Sequence, residues 1–142
     1  MKLLVHGIAA CATLGIAVSL GFALPGATQT AAPQMKVIEM TAKKYEYSPS
    51  EIRVKKGTRV QLKIRAIDRT HGFKIALHPE GTGESGEAGL RFDPQQDNFK
   101  LAEKEERIIE FVAEQAGTYP FKCSVFCGLG HSRMKGVLIV EE

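Results

Sequence analysis

Arg59-Val-Gln-Leu-Lys-Ile-Arg-Ala66 alternates apolar and polar side chains without a break, Val60, Leu62, Ile64 and Ala66 against Gln61, Lys63 and Arg65. A period of two puts one set on each face of a strand, so one face is destined for a core and the other for water. Just upstream, Ile52 and Val54 alternate with Arg53 and Lys55, and Lys56-Gly57-Thr58 turns the chain. The two runs are therefore expected to be neighbouring strands, tightly joined. The same period returns at Phe73, Ile75 and Leu77, at Ile109, Phe111 and Ala113, and at Tyr119, Phe121 and Cys123. Val137 to Val140 is a solid apolar run, expected as a final buried strand, and turns fall at Ser48-Pro49, Gly57, Ala116-Gly117 and Gly128. Many short strands with regular turns and hardly any helical period predict an all-β, Greek-key β-sandwich.

Two stretches depart from this pattern. His78 to Asn98 is rich in Gly, Glu and Asp, carries Pro79 and Pro94, and is too polar to be buried, so it is expected as one long surface excursion. Leu101 to Glu106 is expected to begin a short helix, because Ala, Glu and Lys favour one, before the β-rich Ile108 to Val112. Met35 and Met40 are expected in the core.

The beginning of the chain has a different character. Leu3 to Leu24 is almost wholly apolar, and small residues follow at Ala27 and at Thr30-Ala31-Ala32. That is the layout of an export signal. About twenty apolar residues also suffice to cross a bilayer. Residues 1–32 are thus expected to be a cleaved signal peptide, with a membrane anchor through 3–24 as the alternative. Either places the domain of residues 35–142 outside the cytoplasm, in a periplasmic or equivalent space. Cys11 is leader filler on this reading, and the chain of 142 residues leaves no room for a second sizeable domain.

Charge excludes some functions. Of the 19 Lys and Arg only Lys2 precedes Lys36, and all 16 Asp and Glu follow it, so the domain is nearly balanced. No concentrated basic stripe marks a nucleic-acid surface, and Lys43-Lys44 and Lys55-Lys56 are expected as solvated pairs. Near-neutrality also predicts weak electrostatic steering of partners. With no Ser-His-Asp constellation, phosphate-binding glycine loop or paired carboxylates, the chain is not expected to be an enzyme by itself.

The chemistry is concentrated in Cys123-Ser-Val-Phe-Cys127-Gly-Leu-Gly-His131-Ser-Arg-Met134, between the strand containing Phe121 and the last strand. Thiolate, imidazole and thioether within twelve residues suit copper, whereas calcium or magnesium would want oxygen. A single blue-copper ion needs one Cys, two His and a weak axial donor, so the second thiol is surplus to that design and suggests a second metal. Two thiolates can bridge two ions, with one imidazole to each, Met134 as a weak donor to one and the backbone carbonyl of Val125 as a weak donor to the other. The second imidazole is expected from Asp68-Arg-Thr-His71, where one strand yields to a loop before the next, because loops at one end of a sandwich cluster. His78 is the rival, but it lies beyond Leu77 at the opposite end of the Phe73 strand. Asp68 is a turn former that can also orient His71.

Cys-Ser-x-x-Cys-Gly-x-x-His-x-x-Met with Asp-x-x-His far upstream resembles the CuA domain of cytochrome c oxidase subunit II, a centre also found in nitrous-oxide reductase. From about Met35 onward, including Tyr47-Ser-Pro-Ser-Glu-Ile-Arg-Val-Lys-Lys-Gly-Thr58, the chain looks like a cupredoxin domain. The resemblance implies two coppers, with Cys123 and Cys127 bridging, His71 and His131 terminal, and Met134 and the Val125 carbonyl weak. It implies one-electron shuttling with a redox protein such as a cytochrome. Three departures stand out: at most one apolar segment instead of paired membrane helices, no Trp, and Val125 where the family often has Glu. They point to a stand-alone relative rather than an oxidase subunit proper.

Rival readings use the same residues. Cys123 and Cys127 alone would fit a disulfide in an oxidising compartment. The full ligand set would equally serve an extracytoplasmic copper carrier or assembly factor, and a single blue-copper ion would leave Cys127 idle. Phe73, Phe121 and Phe126 are expected to shield the site, with an apolar patch near His131 meeting the partner.

Overall fold

The computed structural model describes residues 35–142; the expected signal or anchor over 1–32 lies outside the described residues. Two five-stranded sheets face each other. One takes β1 (Met35–Lys43), β2 (Glu46–Ser48), β4 (Arg59–Ala66), β6 (Leu90–Arg91) and β8 (Glu106–Ala113) in the order β2-β1-β4-β8-β6. The other takes β3 (Glu51–Lys55), β5 (His71–Ile75), β7 (Asn98–Leu101), β9 (Gly117–Lys122) and β10 (Lys135–Glu141) in the order β3-β10-β9-β5-β7. A 3-10 turn at His131–Arg133 is the one helical element among the described residues. The expected all-β sandwich is the fold observed.

Alternation explains the layering. Val60, Leu62, Ile64 and Ala66 of β4 are buried, as are Ile109, Phe111 and Ala113 of β8, and they face Phe73, Ile75, Tyr119, Phe121, Leu138 and Val140 across the sandwich. Each of the Val, Leu, Ile and Phe side chains among them contributes about 1.5–3 kcal/mol by leaving water. Tyr47, Phe73 and Phe121 form an aromatic group near the end that carries the site, with ring centroids 5.1–5.8 Å apart.

Several expectations need correction. β3 and β4 are not hydrogen-bonded neighbours: β3 pairs in parallel with β10, and β4 lies between β1 and β8. Both are half-buried strands, and alternation cannot say which sheet a half-buried strand joins. Lys56-Gly57 instead carries the chain across the sandwich edge, the Lys56 N–H donating to Glu141 O and the Gly57 N–H to Ala113 O, each at 2.7 Å. The expected helix at Leu101 is absent. Leu101 ends β7 and a turn leads directly into β8, with its Lys104 N–H bonded to Ala66 O at 2.8 Å. Four residues between two strands cannot meet the cost of helix nucleation. The long excursion contains the short strand β6, paired with β8. Met40 is in the core, but Met35 is 53% exposed at the outer start of β1.

The topology brings two connections to one end. β4 ends at Ala66 in one sheet and, after four residues, β5 begins at His71 in the other. The segment between β9 and β10 emerges beside it, because β9 is hydrogen-bonded to both β5 and β10. At the opposite end Tyr119 is fully buried, and its hydroxyl donates to the Gln115 carbonyl at 2.7 Å, pinning the turn into β9. Tyr119→Phe is expected to cost about 1 kcal/mol by leaving that carbonyl unpaired. Urea unfolding should show a lower midpoint at unchanged slope; an unmoved midpoint would remove this bond from the account.

Candidate metal centre

His71 opens β5 with no exposed surface. Its Nε2 lies 2.7 Å from Asp68 Oδ1, and Asp68 in turn accepts the Lys44 backbone N–H at 3.1 Å. An ionised carboxylate can only accept, so Nε2 carries a proton toward Asp68, and in the neutral form of the ring Nδ1 is then the nitrogen with a free lone pair. Burial works against the charge on Asp68, but the bonds from His71 and Lys44 prevail and hold its carboxyl below the ordinary range. Nδ1 is buried and has no hydrogen-bond partner among the described residues. An orphaned buried acceptor is costly unless something else binds it.

The sulfur loop leaves β9 at Lys122. Its base is closed by the Cys123 N–H bonding Met134 O at 3.0 Å, and the 3-10 turn folds its far limb back. Cys127 Sγ then lies 3.9 Å from Cys123 Sγ, 3.7 Å from His131 Nδ1 and 3.9 Å from Met134 Sδ. Cys123 Sγ lies 3.1 Å from the Val125 carbonyl oxygen. The donor atoms of His71, Cys123 and Cys127 all fall within 4.8 Å of one another. All six residues singled out in the sequence therefore meet in one place. His78 does not: it precedes Pro79, which packs on Gly117 at the start of β9, the end remote from Cys123.

Cys123, Cys127 and Met134 are each 3% exposed or less. Both cysteines are free, and their separation is far beyond the roughly 2.05 Å of a disulfide. Burial, with the neighbouring Cys123 adding to it, pushes the Cys127 thiol up to about 11, while Arg69 pulls the other way. A cation that displaces the thiol protons would relieve this strain on the charged form. Two thiol sulfurs, a thioether, a carbonyl and two imidazole nitrogens, one of them the buried orphan, fit copper.

Several supporting residues escaped the sequence reading. The Gly72 N–H points at Cys123 Sγ, 3.4 Å away, and the Tyr47 hydroxyl donates to the Gly72 carbonyl. Burial, reinforced by the two thiols, holds the Tyr47 phenol well above its ordinary range, so it stays a neutral donor. Arg69 Nη1 donates to the Cys127 carbonyl at 2.7 Å. The Tyr45 ring fills the space where side chains would stand at Gly128 and Gly130, and Arg133 lies 5.7 Å from its centre. A glycine directly beside a candidate ligand, Gly72, is the sequence signal that could have pointed to this scaffold. Phe126, expected to shield the site, is 75% exposed, and Leu129 is 99% exposed.

Residues 16–140 match the family model of the cupredoxin-like domain. Over 110 residues the chain is 28% identical to cytochrome c oxidase subunit 2 of Thermus thermophilus, covering 78% of this chain and 69% of that one. Over 109 residues it is 30% identical to nitrous-oxide reductase of Pseudomonas fluorescens, covering 74% of this chain but 14% of the reductase. Among solved structures, auracyanin A, a blue copper protein of Chloroflexus aurantiacus, shares the fold with a TM-score of 0.56 at 17% identity, over 75% of this chain and 99% of that one.

The close approach at Gly72 is testable. A Cβ there would stand 2.1 Å from Ser124 Oγ and 2.8 Å from the backbone nitrogens of Ser124 and Val125, so the loop backbone must move. Gly72→Ala is expected to cost about 1–3 kcal/mol as overpacking. It should also speed amide hydrogen exchange at Ser124 and Val125, whereas unchanged exchange would show that the loop does not rest on Gly72.

Proposed function

Because this chain belongs to the cupredoxin-like domain family, we propose that it is an extracytoplasmic electron-transfer protein holding a two-copper, CuA-type centre. The observation that carries this reading is the buried second thiol. Cys127 Sγ stands 3.9 Å from Cys123 Sγ, 3.7 Å from His131 Nδ1 and 3.9 Å from Met134 Sδ, whereas a one-copper site has no use for it. On this proposal Cys123, Cys127, His71 and His131 would be the principal ligands, the two imidazoles through Nδ1, and Met134 and the Val125 carbonyl would be weak donors. The likeness to cytochrome c oxidase subunit 2 and to nitrous-oxide reductase supports the same reading. Copper held there would supply one-electron redox chemistry, which would let the protein accept an electron from a donor protein and pass it to an acceptor.

The chain's own residues keep this exchange undemanding by holding the ligands still. Asp68 fixes the His71 ring through Nε2, which leaves Nδ1 as the nitrogen available to a metal. The Gly72 N–H offers a hydrogen bond to Cys123 sulfur, and Arg69 holds the Cys127 carbonyl. Burial keeps water off the thiolates, strengthening each of these contacts. Residues 1–32 serve as export signal or anchor and 35–142 as the cupredoxin domain. The redox partner is a protein such as a cytochrome, and the chain performs no chemistry on a substrate by itself.

Copper-loaded protein should carry two coppers per chain by mass spectrometry and a single unpaired electron shared between two copper nuclei by electron-spin resonance. Cys127→Ser should lose one copper and the shared signal. One copper per chain, undisturbed by Cys127→Ser, would instead establish a blue-copper site. Loss of the metal within seconds to a mild chelator would favour copper delivery over electron transfer.

A further inference from the structure

The outer face of the second sheet carries a charge pattern that the ligand set leaves unexplained. In the strand register Lys122 of β9 stands directly opposite Lys135 of β10 on one side and Lys74 of β5 on the other. Lys100 of β7 stands opposite Gly72, two residues along β5 from Lys74 and hence on the same face. All four lysines are exposed. Like charges directly opposite one another in a sheet destabilise it. Nearby carboxylates do little to neutralise them: Asp97 reaches Lys74 at 3.4 Å, and Glu51 and Glu141 are both engaged by Arg53. Among the described residues Lys100, Lys122 and Lys135 have no carboxylate within 4 Å.

The position of the lysines is as informative as their charge. Lys122 immediately precedes Cys123, and Lys135 immediately follows Met134. Each is therefore one strand residue, about 3.3 Å of rise, from a candidate ligand. Ser124 bridges the face to the loop, resting on Gly72 and donating to Asn98 Oδ1 at 2.6 Å. The balanced total charge, which predicts weak steering, conceals this segregation.

We infer that this lysine face is the docking surface for a redox protein that presents a cluster of carboxylates around its own exposed redox group. The inference rests on the electron-transfer reading, and it names the partner by charge. A field of unpaired ammonium groups beside the sulfur loop would draw such a partner in and hold it edge-on to the loop. An anionic lipid surface would satisfy the same charges, but headgroups bring no electron donor or acceptor to the sulfurs, so the protein is the occupant that fits.

The test uses a reduced cytochrome c with a lysine-ringed haem edge and the same cytochrome after succinylation, which turns that ring acidic. One electron leaves the haem iron, ferrous to ferric, and is taken up by the oxidised copper-loaded protein, followed by stopped flow. The succinylated form should react faster at low salt and slow about tenfold or more as ionic strength rises to about 0.3 M, while the native form should show the opposite trend. Replacing Lys100, Lys122 and Lys135 by Glu should reverse the two trends, and by Gln should flatten them. The same charge change at Lys56, Lys63 and Arg65 should leave them in place.

Amide shifts in the copper-free protein titrated with succinylated cytochrome give an independent readout and should map to residues 72–74, 98–100, 122–124 and 135–137. Shifts confined to Phe126, Leu129 and His131, or rates indifferent to salt, would overturn the lysine face while leaving electron transfer standing. Correctly mapped shifts without electron uptake would leave the face standing and sink the electron-transfer reading. Sedimentation with phosphatidylglycerol vesicles that the Glu variant abolishes, with no shifts on adding succinylated cytochrome, would make lipid the ligand and overturn the inference.

Discussion

The candidate centre depends on one close approach, that of the β5 backbone at Gly72 to the start of the sulfur loop. No side chain fits between Gly72 and Ser124, and the gap is closed by the Gly72 N–H facing Cys123 sulfur while Tyr47 holds the carbonyl of the same residue. A single residue, through the two peptide groups that flank it, thus ties together three segments far apart in sequence: the β2 strand, the entry to β5 and the exit from β9. Because His71 is the next residue, whatever fixes Gly72 also fixes the imidazole relative to both sulfurs. The aromatic packing of Tyr47, Phe73 and Phe121 beneath it makes the arrangement a consequence of core packing rather than of loop conformation.

Much of this was legible in the letters, for a physical reason. A period of two records burial on one face, and the strands at Arg59–Ala66, Glu106–Ala113 and Gly117–Lys122 all announced themselves that way. The sulfur loop was legible because four metal-binding side chains of three types, two Cys, one His and one Met, seldom coincide in twelve residues. Sheet membership was not legible. A half-buried strand looks the same in either layer, so Glu51–Lys55 was paired with its sequence neighbour instead of with β10. The lysine row was hidden for the same reason, since Lys74, Lys122 and Lys135 become neighbours only once register is known. Tyr45 and Arg69 were invisible because their roles are contacts with backbone, which no composition or spacing encodes.

The protein's own atoms leave two groups at the candidate site poorly satisfied. A buried Nδ1 without a partner and a buried thiol pushed up toward about 11 are both groups that cost free energy where they stand. They persist because surrounding bonds leave them no alternative: Asp68 occupies the other nitrogen, and the Cys123 N–H to Met134 bond locks the loop base. A metal that binds there converts those costs into gains, so affinity and folding stability are coupled through the same atoms. This is why the supporting residues matter as much as the ligands. A looser cradle would let Nδ1 turn to another donor and the thiols move apart, and the driving force for binding would shrink.

The same end of the sandwich divides recognition between two surfaces of different physics. Charge acts at a distance, over roughly 8–10 Å at physiological salt, so unpaired lysines on a flat strand face orient an approaching protein before it touches. Apolar contact acts only on touching, and the exposed Phe126 and Leu129 project from the loop itself, beside the half-buried His131. A partner seated against the lysines would already lie alongside Ser124 and Val125, one step from that apolar tip. Steering and closing can then be tuned separately, the first by the lysines of the strand face and the second by the exposed Phe126 and Leu129. The ligands, fixed from within by Gly72 and Asp68, need not move to serve either.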